Sequence, residues 1–197
     1  MSGLPKTLEK IIDSFSRLPG IGKKTAQRLG MYIMKMDNEF VSDFANALLE
    51  IENNIYSCSI CNNFSDSETC SICSDPTRSS RMICIVENPS DIILFENTGF
   101  NGFFHVLGGL ISPLDGVSPE DLSIKTLLDR INNIDEIILA IGTSIEGEAT
   151  SLYLINLLKP FNIKISRLSQ GLPVGGYLEY IDKATLEKSF LERVEIN

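Results

Sequence analysis

Residues 58–73 read Cys-Ser-Ile-Cys-Asn-Asn-Phe-Ser-Asp-Ser-Glu-Thr-Cys-Ser-Ile-Cys, and this stretch decides how the chain divides. Two Cys-x2-Cys pairs stand eight residues apart in a polar segment that has too few apolar side chains for a core of its own. Two cysteines at this spacing can turn both sulfurs toward one point, and two such pairs complete a tetrahedron around zinc. The pattern therefore predicts a structural zinc site formed by Cys58, Cys61, Cys70 and Cys73.

Two other uses of these cysteines stay open: a pair of disulfide bonds, or a redox-active Cys-x2-Cys motif. Stable disulfides are rare in the cytoplasm, and redox motifs usually come singly beside a strand-helix unit. Four thiolates would close the zinc shell, so the ion is expected to supply folding energy and no chemistry. The fifth cysteine, Cys84, lies in an apolar run and is interpreted as a core residue.

The composition is that of a globular protein. Of 197 residues, 43% are apolar and 22% are charged, which argues against a disordered chain. The longest apolar runs cover only a few residues, whereas a membrane span needs roughly 18 to 20, and the first residues lack the layout of a signal peptide. We expect a soluble cytoplasmic protein. A single histidine, His105, excludes a site built on several histidines of one chain.

The net charge of −9 hides an asymmetry along the chain. Residues 1–36 hold seven basic and two acidic side chains, a balance of +5, while residues 37–197 carry the remaining −14. The overall acidity would argue against nucleic acid as a partner, but the split favours a local basic surface on an acidic body. A helix with a solvated charged face is the alternative.

The apolar spacing predicts three helices before residue 55 and an alternation of strands and helices after residue 81. Apolar residues recur at helical spacing in 8–18, 26–33 and 40–55. Strands are predicted at 82–86, 103–107 and 136–141, and helices at 119–131, 148–158 and 185–194. Strands separated by helices indicate an α/β unit with a largely parallel sheet.

A glycine turn lies among the basic residues, in Leu18-Pro19-Gly20-Ile21-Gly22-Lys23-Lys24. It is not a Walker A loop, because Arg17 stands where the first glycine is needed and a helix precedes it. A helix-hairpin-helix turn fits better: the glycines allow a tight reversal, and the N–H groups of the next helix can bind a phosphate. Lys23, Lys24 and Arg28 would add charge to such a DNA contact, which carries no sequence information. An ordinary helical hairpin is the alternative.

Three acidic residues follow predicted strands: Glu87 after the first, and Glu146 and Glu148 after the third. Carboxyl ends of parallel strands are where sites form in open sheets, and three carboxylates there could hold Mg²⁺. The alternative is helix capping, because Thr143-x-x-Glu146 fits a capping box.

The order of these features resembles the RecR family of bacterial recombination mediators over nearly the whole chain. The residues that carry the resemblance are Leu18-Pro19-Gly20-Ile21-Gly22, the two cysteine pairs, Ile83-Cys84-Ile85-Val86-Glu87, Ser112-Pro113-Leu114-Asp115-Gly116, Glu146-Gly147-Glu148-Ala149-Thr150 and Gly171-Leu172-Pro173-Val174-Gly175-Gly176.

The resemblance implies an α+β chain of four modules. These are a helix-hairpin-helix region at 1–55, a four-cysteine zinc finger at 56–79, an α/β Toprim domain with a mostly parallel sheet at 80–166, and a Walker-B-like C-terminal segment at 167–197. The DNA-contacting residues of the family correspond to Lys24 and Arg28, and its Toprim acids to Glu87, Glu146 and Glu148.

It also implies a function. Family members are non-enzymatic DNA clamps, usually ring-shaped tetramers, that work with RecO, and in many bacteria RecF, to load RecA onto gapped DNA. They would act on single- and double-stranded DNA in the cytoplasm, at the nucleoid during repair, and would hold one zinc ion per chain.

This sequence departs from the family pattern at three places. Lys23 replaces a common proline, residues 140–144 replace a stretch that usually contains Asn-Pro-Thr, and Gln170 stands where a basic residue is frequent. Two other functions stay open: a Toprim nuclease or primase-like enzyme that uses the three glutamates with Mg²⁺, and a zinc-stabilised protein-interaction module that does not touch DNA.

Overall fold

The computed structural model describes residues 3–79 and 81–195. The chain forms two compact units that divide between Ile55 and Tyr56. Within the described residues, every helix is too short or too polar to cross a lipid bilayer.

The first unit consists of three helices, as the apolar spacing predicts. They are α1 (Lys6–Ser16), α2 (Lys23–Ile33) and α3 (Asn38–Asn54). Helices α1 and α2 pack through the buried side chains of Leu8, Ile12 and Ala26. Their approach is close at Gly30, where an added Cβ would lie 2.8 Å from Cγ1 of Ile12. Helix α3 has no buried residue, although Asp37 caps it by accepting a hydrogen bond from the Phe40 amide.

The second unit begins with the four-cysteine segment. Strands β1 (Tyr56–Ser57) and β2 (Phe64–Ser65) form a short antiparallel pair, and the four-residue helix α4 (Ser71–Ser74) follows.

A four-stranded sheet makes up the centre of the second unit. Its strands are β3 (Met82–Val86), β4 (Phe103–Val106), β5 (Glu136–Ala140) and β6 (Lys164–Arg167). Their order is β4-β3-β5-β6 and every pairing is parallel, which confirms the expected sheet. In chain order β4 and β5 follow β3, and they lie on opposite sides of it. The connections therefore change direction between β3 and β5.

Helices cover both faces of this sheet. Helices α6 (Ile124–Leu128) and α7 (Ile145–Leu158) bury one face, and α5 (Pro89–Glu96) packs through Ile92 on the other. Burial on both faces explains why β3 is an unbroken apolar run, as strands of parallel sheets usually are. Cys84 lies in this core, as predicted, and burial raises its thiol pKa to about 12.

The prediction of a single helix at 119–131 is wrong. The chain instead forms a 3₁₀ helix at Pro119–Asp121 and then α6. The break arises because the Ser123 amide donates to the Leu107 carbonyl at 2.9 Å, which ties this point to the end of the sheet.

Other boundaries differ from the prediction by a few residues, and some elements were not foreseen. Helix α7 starts three residues early, and the last helix, α8, spans Lys183–Leu191. Helix α5 and strand β6 were not predicted. Two further 3₁₀ helices lie at Lys159–Phe161 and Leu178–Tyr180.

Candidate zinc centre and nucleic-acid interface

The four predicted cysteines come together in one cluster. Their Sγ atoms all lie within 4.8 Å of one another, and those of Cys61 and Cys70 are 3.5 Å apart. A tetrahedral ion with Zn–S bonds of about 2.3 Å needs sulfurs about 3.8 Å apart, so the spacing suits zinc. All four are free thiols, without a disulfide among them. The cluster therefore fits one structural zinc ion.

Backbone geometry sets the chemistry of the cysteine cluster. The Cys58 amide donates to the Asn63 carbonyl at 2.7 Å, and the Cys70 amide donates to Sγ of Cys58 at 3.3 Å. Burial raises the pKa of the Cys58 thiol, but N–H groups of the two knuckles outweigh it and lower that pKa to about 7. One sulfur is thus readily deprotonated before any ion binds, and a thiolate is the form that binds zinc.

The finger is fixed to the edge of the parallel sheet. The Val106 amide, at the end of β4, donates to the Cys61 carbonyl at 2.9 Å. Asn62, which adopts a left-handed φ of 63°, donates through Nδ2 to Oγ of Ser123 at 2.7 Å. The Val106 bond covers part of the open edge of β4, which would otherwise offer unpaired backbone groups to another strand. The finger is thus joined to the sheet at this edge.

The glycine turn of the first unit has the geometry of a tight reversal. Gly20 has a φ of +77°, a conformation that favours glycine. Gly22 is the N-cap of α2, and none of the described side chains caps that helix. A Cβ at either glycine would meet no described atom within 4 Å. The first N–H groups of α2 lack intrahelical partners, as at every helix start, so a phosphate can approach them.

Three basic side chains surround this turn. Lys23, Lys24 and Arg28 are exposed, and none forms an ion pair with another described residue. Lys24 and Arg28 are one helical turn apart, so they lie on the same side of α2. No acidic residue lies in the first turn of this helix.

The predicted acidic residues lie at the carboxyl edge of the parallel sheet. Glu87 follows β3 directly, and Glu146 and Glu148 lie in the first turn of α7, the helix after β5. Strands β3 and β5 are neighbours at the point where the sheet connections reverse, the usual ligand position of open α/β sheets.

The capping box predicted from Thr143 and Glu146 is wrong. The N-cap of α7 is Ser144, whose Oγ accepts from the Gly147 amide at 3.0 Å. Gly147 is required by close packing, because its Cβ would lie 2.0 Å from the Gly142 carbonyl oxygen.

The three glutamates do not form a compact ligand cluster. Among the described residues, only the four cysteines bring three or more potential metal ligands within 4.8 Å of one another. Glu148 instead contacts the end of β6: Arg167 Nη1 lies 3.3 and 3.4 Å from its two carboxylate oxygens, and Gln170 Nε2 lies 3.2 Å from one of them. These two partners were missed at the sequence level, because they lie 19 and 22 residues away from Glu148.

Comparison with known proteins accounts for all four segments. Family models match as follows: the helix-hairpin-helix of RecR at residues 8–51, the four-cysteine zinc finger domain of RecR at 55–75, the Toprim domain at 81–169 and the C-terminal region of RecR at 171–194.

A relative of known name covers nearly the whole chain. The recombination protein RecR of Chloroherpeton thalassium is 48% identical in an alignment 198 residues long, which covers 96% of this chain and 97% of that protein. Identity at this level over the full length, together with three RecR-specific models, leaves one assignment. The chain belongs to the RecR family of recombination proteins.

Proposed function

We propose that this protein is a DNA-binding mediator that acts with RecO, and with RecF where it is present, to help load RecA onto gapped single-stranded DNA. As a RecR homologue it is a protein of DNA repair and recombination. Its work would take place in the cytoplasm, at the nucleoid, without catalysis. The observation that carries the proposal is the start of α2, which no described side chain caps, beside three cations that pair with no described acid: Lys23, Lys24 and Arg28.

The contact at this turn would be to the sugar-phosphate backbone. A phosphate oxygen can accept hydrogen bonds from the exposed amides that follow Gly22, where the helix dipole favours negative charge. Lys24 and Arg28 then pair with flanking phosphates. Because no base edge is involved, single- and double-stranded DNA of any sequence should bind. The acidic second unit restricts DNA to the hairpin surface.

One hairpin touches few phosphates, so the proposal includes a homo-oligomer, in the form of a tetrameric ring. Helix α3 supports this, since Phe44, Leu48 and Ile51 on one side of it are each more than 40% exposed, although Phe40 at its start contacts the ring of Tyr32. Several hairpins facing one DNA would raise apparent affinity by roughly 10²–10⁴.

The proposal is tested by Lys24→Ala with Arg28→Ala in a salt titration of DNA binding. Each lost phosphate contact should lower the log-log salt slope by about 0.7 to 0.9 and weaken binding to all sequences alike. The matched control is Lys125→Ala with Lys159→Ala, which removes two exposed cations from the second unit. Wild-type-like binding by the hairpin variant across the titration would leave a protein-interaction module as the better reading.

The acidic edge is proposed as a partner-binding surface that can also take Mg²⁺ as an accessory ion. Glu87 and Glu146 are half-buried, and neither forms an ion pair with a described residue. Glu146→Ala should weaken assembly of the mediator complex with RecO, measured by sizing of the mixture, while neither protein cuts labelled nicked or single-stranded DNA with Mg²⁺ or Mn²⁺. Cleavage by wild type that is lost in the variant would support the Toprim nuclease instead.

A further inference from the structure

The C-terminal segment, residues 168–195, is only weakly anchored by apolar packing against the described part of the chain. None of its residues is buried, although many are apolar. Val174, Leu191 and Val194 are among its most exposed side chains. Its apolar side chains of intermediate burial are Ile181 and Leu186, so the segment gains little from the hydrophobic effect. Its position must depend on the few polar contacts that it and the strand before it make.

The Leu168 amide donates to the Leu139 carbonyl at 3.4 Å, and side-chain contacts converge on one carboxylate. Glu148, in the first turn of α7, accepts from Arg167 at 3.3 and 3.4 Å and from Gln170 at 3.2 Å. Arg167 also reaches the end of α8, where its Nη2 lies 3.6 Å from Oε1 of Glu192, the residue after this helix. Together these contacts make a chain from α7 through the end of β6 to the last helix.

Electrostatics within this chain favours the charged carboxylate. The hydrogen bond from Gln170 and the positive charges of Arg167 and Lys188 lower the pKa of Glu148. Glu148, Gln170 and Lys188 border an open cavity of about 500 Å³ between α7 and α8. The segment thus continues directly from β6, where the Leu168 amide donates to the Leu139 carbonyl at 3.4 Å, and beyond this point an open cavity lies between it and α7.

We propose that Glu148 is a positioning residue, which holds the C-terminal segment in place through Arg167 and Gln170, and that this role competes with any partner or cation that takes its carboxylate. This inference rests on the acidic edge being a partner surface. A carboxylate that turns to a new ligand gives up its bonds to Arg167 and Gln170. Occupation of the acidic edge and docking of the C-terminal segment are therefore coupled, and the coupling acts equally in both directions.

The three acids consequently have different tasks. Glu87 and Glu146 make no ion pair with described residues and can face a partner directly, whereas Glu148 transmits the event to the C-terminal segment. This division predicts that substitution of Glu148 loosens the C-terminal segment, whereas substitution of Glu146 in the same helical turn does not.

Hydrogen exchange of the full chain tests the inference. Glu148→Gln keeps the size of the side chain but removes its charge, and amides of residues 171–195 should then exchange about two- to fivefold faster, as expected for the loss of an exposed ion pair. Arg167→Gln should have the same effect. Glu146→Gln, two residues away in the same turn, is the matched control and should leave this exchange unchanged.

A charge exchange separates positioning from a general loss of stability. Glu148→Arg combined with Arg167→Glu and Glu192→Arg re-forms both ion pairs of Arg167 with reversed charges, so exchange should be slower than in the single reversals at 148 and 167, each of which should speed it. Unchanged exchange in Glu148→Gln, equal acceleration in Glu146→Gln, or absence of rescue would each overturn the inference. Failure here leaves the partner-binding test of Glu146→Ala unaffected, so the two proposals can fall separately.

Discussion

At the scale of single residues, His105 illustrates how burial determines protonation. The ring is fully buried, Nε2 lies 2.7 Å from the Ser123 carbonyl oxygen, and Nδ1 lies 3.3 Å from Nη1 of Arg130. A neutral ring that donates from Nε2 and accepts at Nδ1 satisfies both contacts. Burial lowers the pKa of His105 to about 4; the Ser123 carbonyl opposes this shift and the charge of Arg130 adds to it.

This geometry predicts a pH-dependent stability. Because the folded pKa lies below the ordinary value of 6.5, the unfolded chain binds more protons between pH 6.5 and 4. The contribution of His105 is complete above pH 6.5 and is lost as the pH falls toward 4. From pH 7 to pH 5, wild type should lose about 2 kcal/mol of unfolding free energy through this residue.

Urea unfolding at pH 7, 6 and 5 provides the measurement, with His105→Gln as the comparison. The glutamine variant keeps a neutral polar side chain and has no charge to gain, so its stability should fall less with acidification. Other titrating groups, the zinc ligands among them, are common to both proteins and cancel in the difference. If the unfolding free energies of wild type and His105→Gln fall in parallel with pH, burial does not keep His105 neutral.

At the scale of elements, the zinc finger is the part of the second unit that depends on an ion. Its strands β1 and β2 have two residues each and its helix α4 has four, too little for an independent core. Apparent binding energies of about 10–16 kcal/mol for structural zinc far exceed what such a loop could supply. Removal of one ligand should therefore unfold the finger.

Cys58→Ser should reduce the zinc content from one ion per chain to a small fraction of that value, measured by elemental analysis of freshly purified, reduced protein. Exchange of the Val106 amide should also rise, because its acceptor, the Cys61 carbonyl, belongs to the finger. Cys84→Ser is the control, since Cys84 lies in the sheet core outside the cluster and its loss should leave zinc intact. Full zinc content in Cys58→Ser would contradict the assignment of ligands.

Elements also show where sequence reasoning succeeds. Strands β3, β4 and β5 were foreseen because burial on both faces demands short apolar runs. Strand β6 was not, since this edge strand alternates polar Lys164 and Ser166 with Ile165 and has no fully buried residue. Helix α5 was missed because its run Ile92 to Phe95 is apolar throughout, which hides the helical period.

In the candidate sites, too, the contacts that were predicted are those between residues close in sequence. The cysteine cluster was predicted in full, because ligands that fold onto one ion are close in sequence. The contacts of Glu148 were not, since they depend on how β6 lies beside β5 and α7. Pairing in a parallel sheet brings together residues that no short motif connects.

At the scale of the whole molecule, α3 is the feature that a single chain does not explain. Phe40, Phe44, Leu48, Ile51 and Ile55 recur at helical spacing on one side, and each is between 41% and 62% exposed. An apolar stripe along a helix normally faces a core or a partner. Phe40 and Phe44 stack on each other with ring centroids 6.5 Å apart, which makes the stripe continuous at its start. We infer that a second copy of the chain covers it.

Two negative charges on this stripe should separate the copies. Leu48→Glu with Ile51→Glu would place carboxylates where apolar contact is needed, and the mass by light scattering should fall at least by half. DNA affinity should drop with it, by as much as the roughly 10²–10⁴ that linked hairpins provide. Ser42→Glu with Asn46→Glu adds the same charge to the opposite side of α3 and serves as the control. Circular dichroism should show that both variants keep their helices, and zinc content should stay at one ion per chain. If the stripe variant has the mass of wild type, α3 is not the interface, and the avidity argument for DNA binding loses its structural basis.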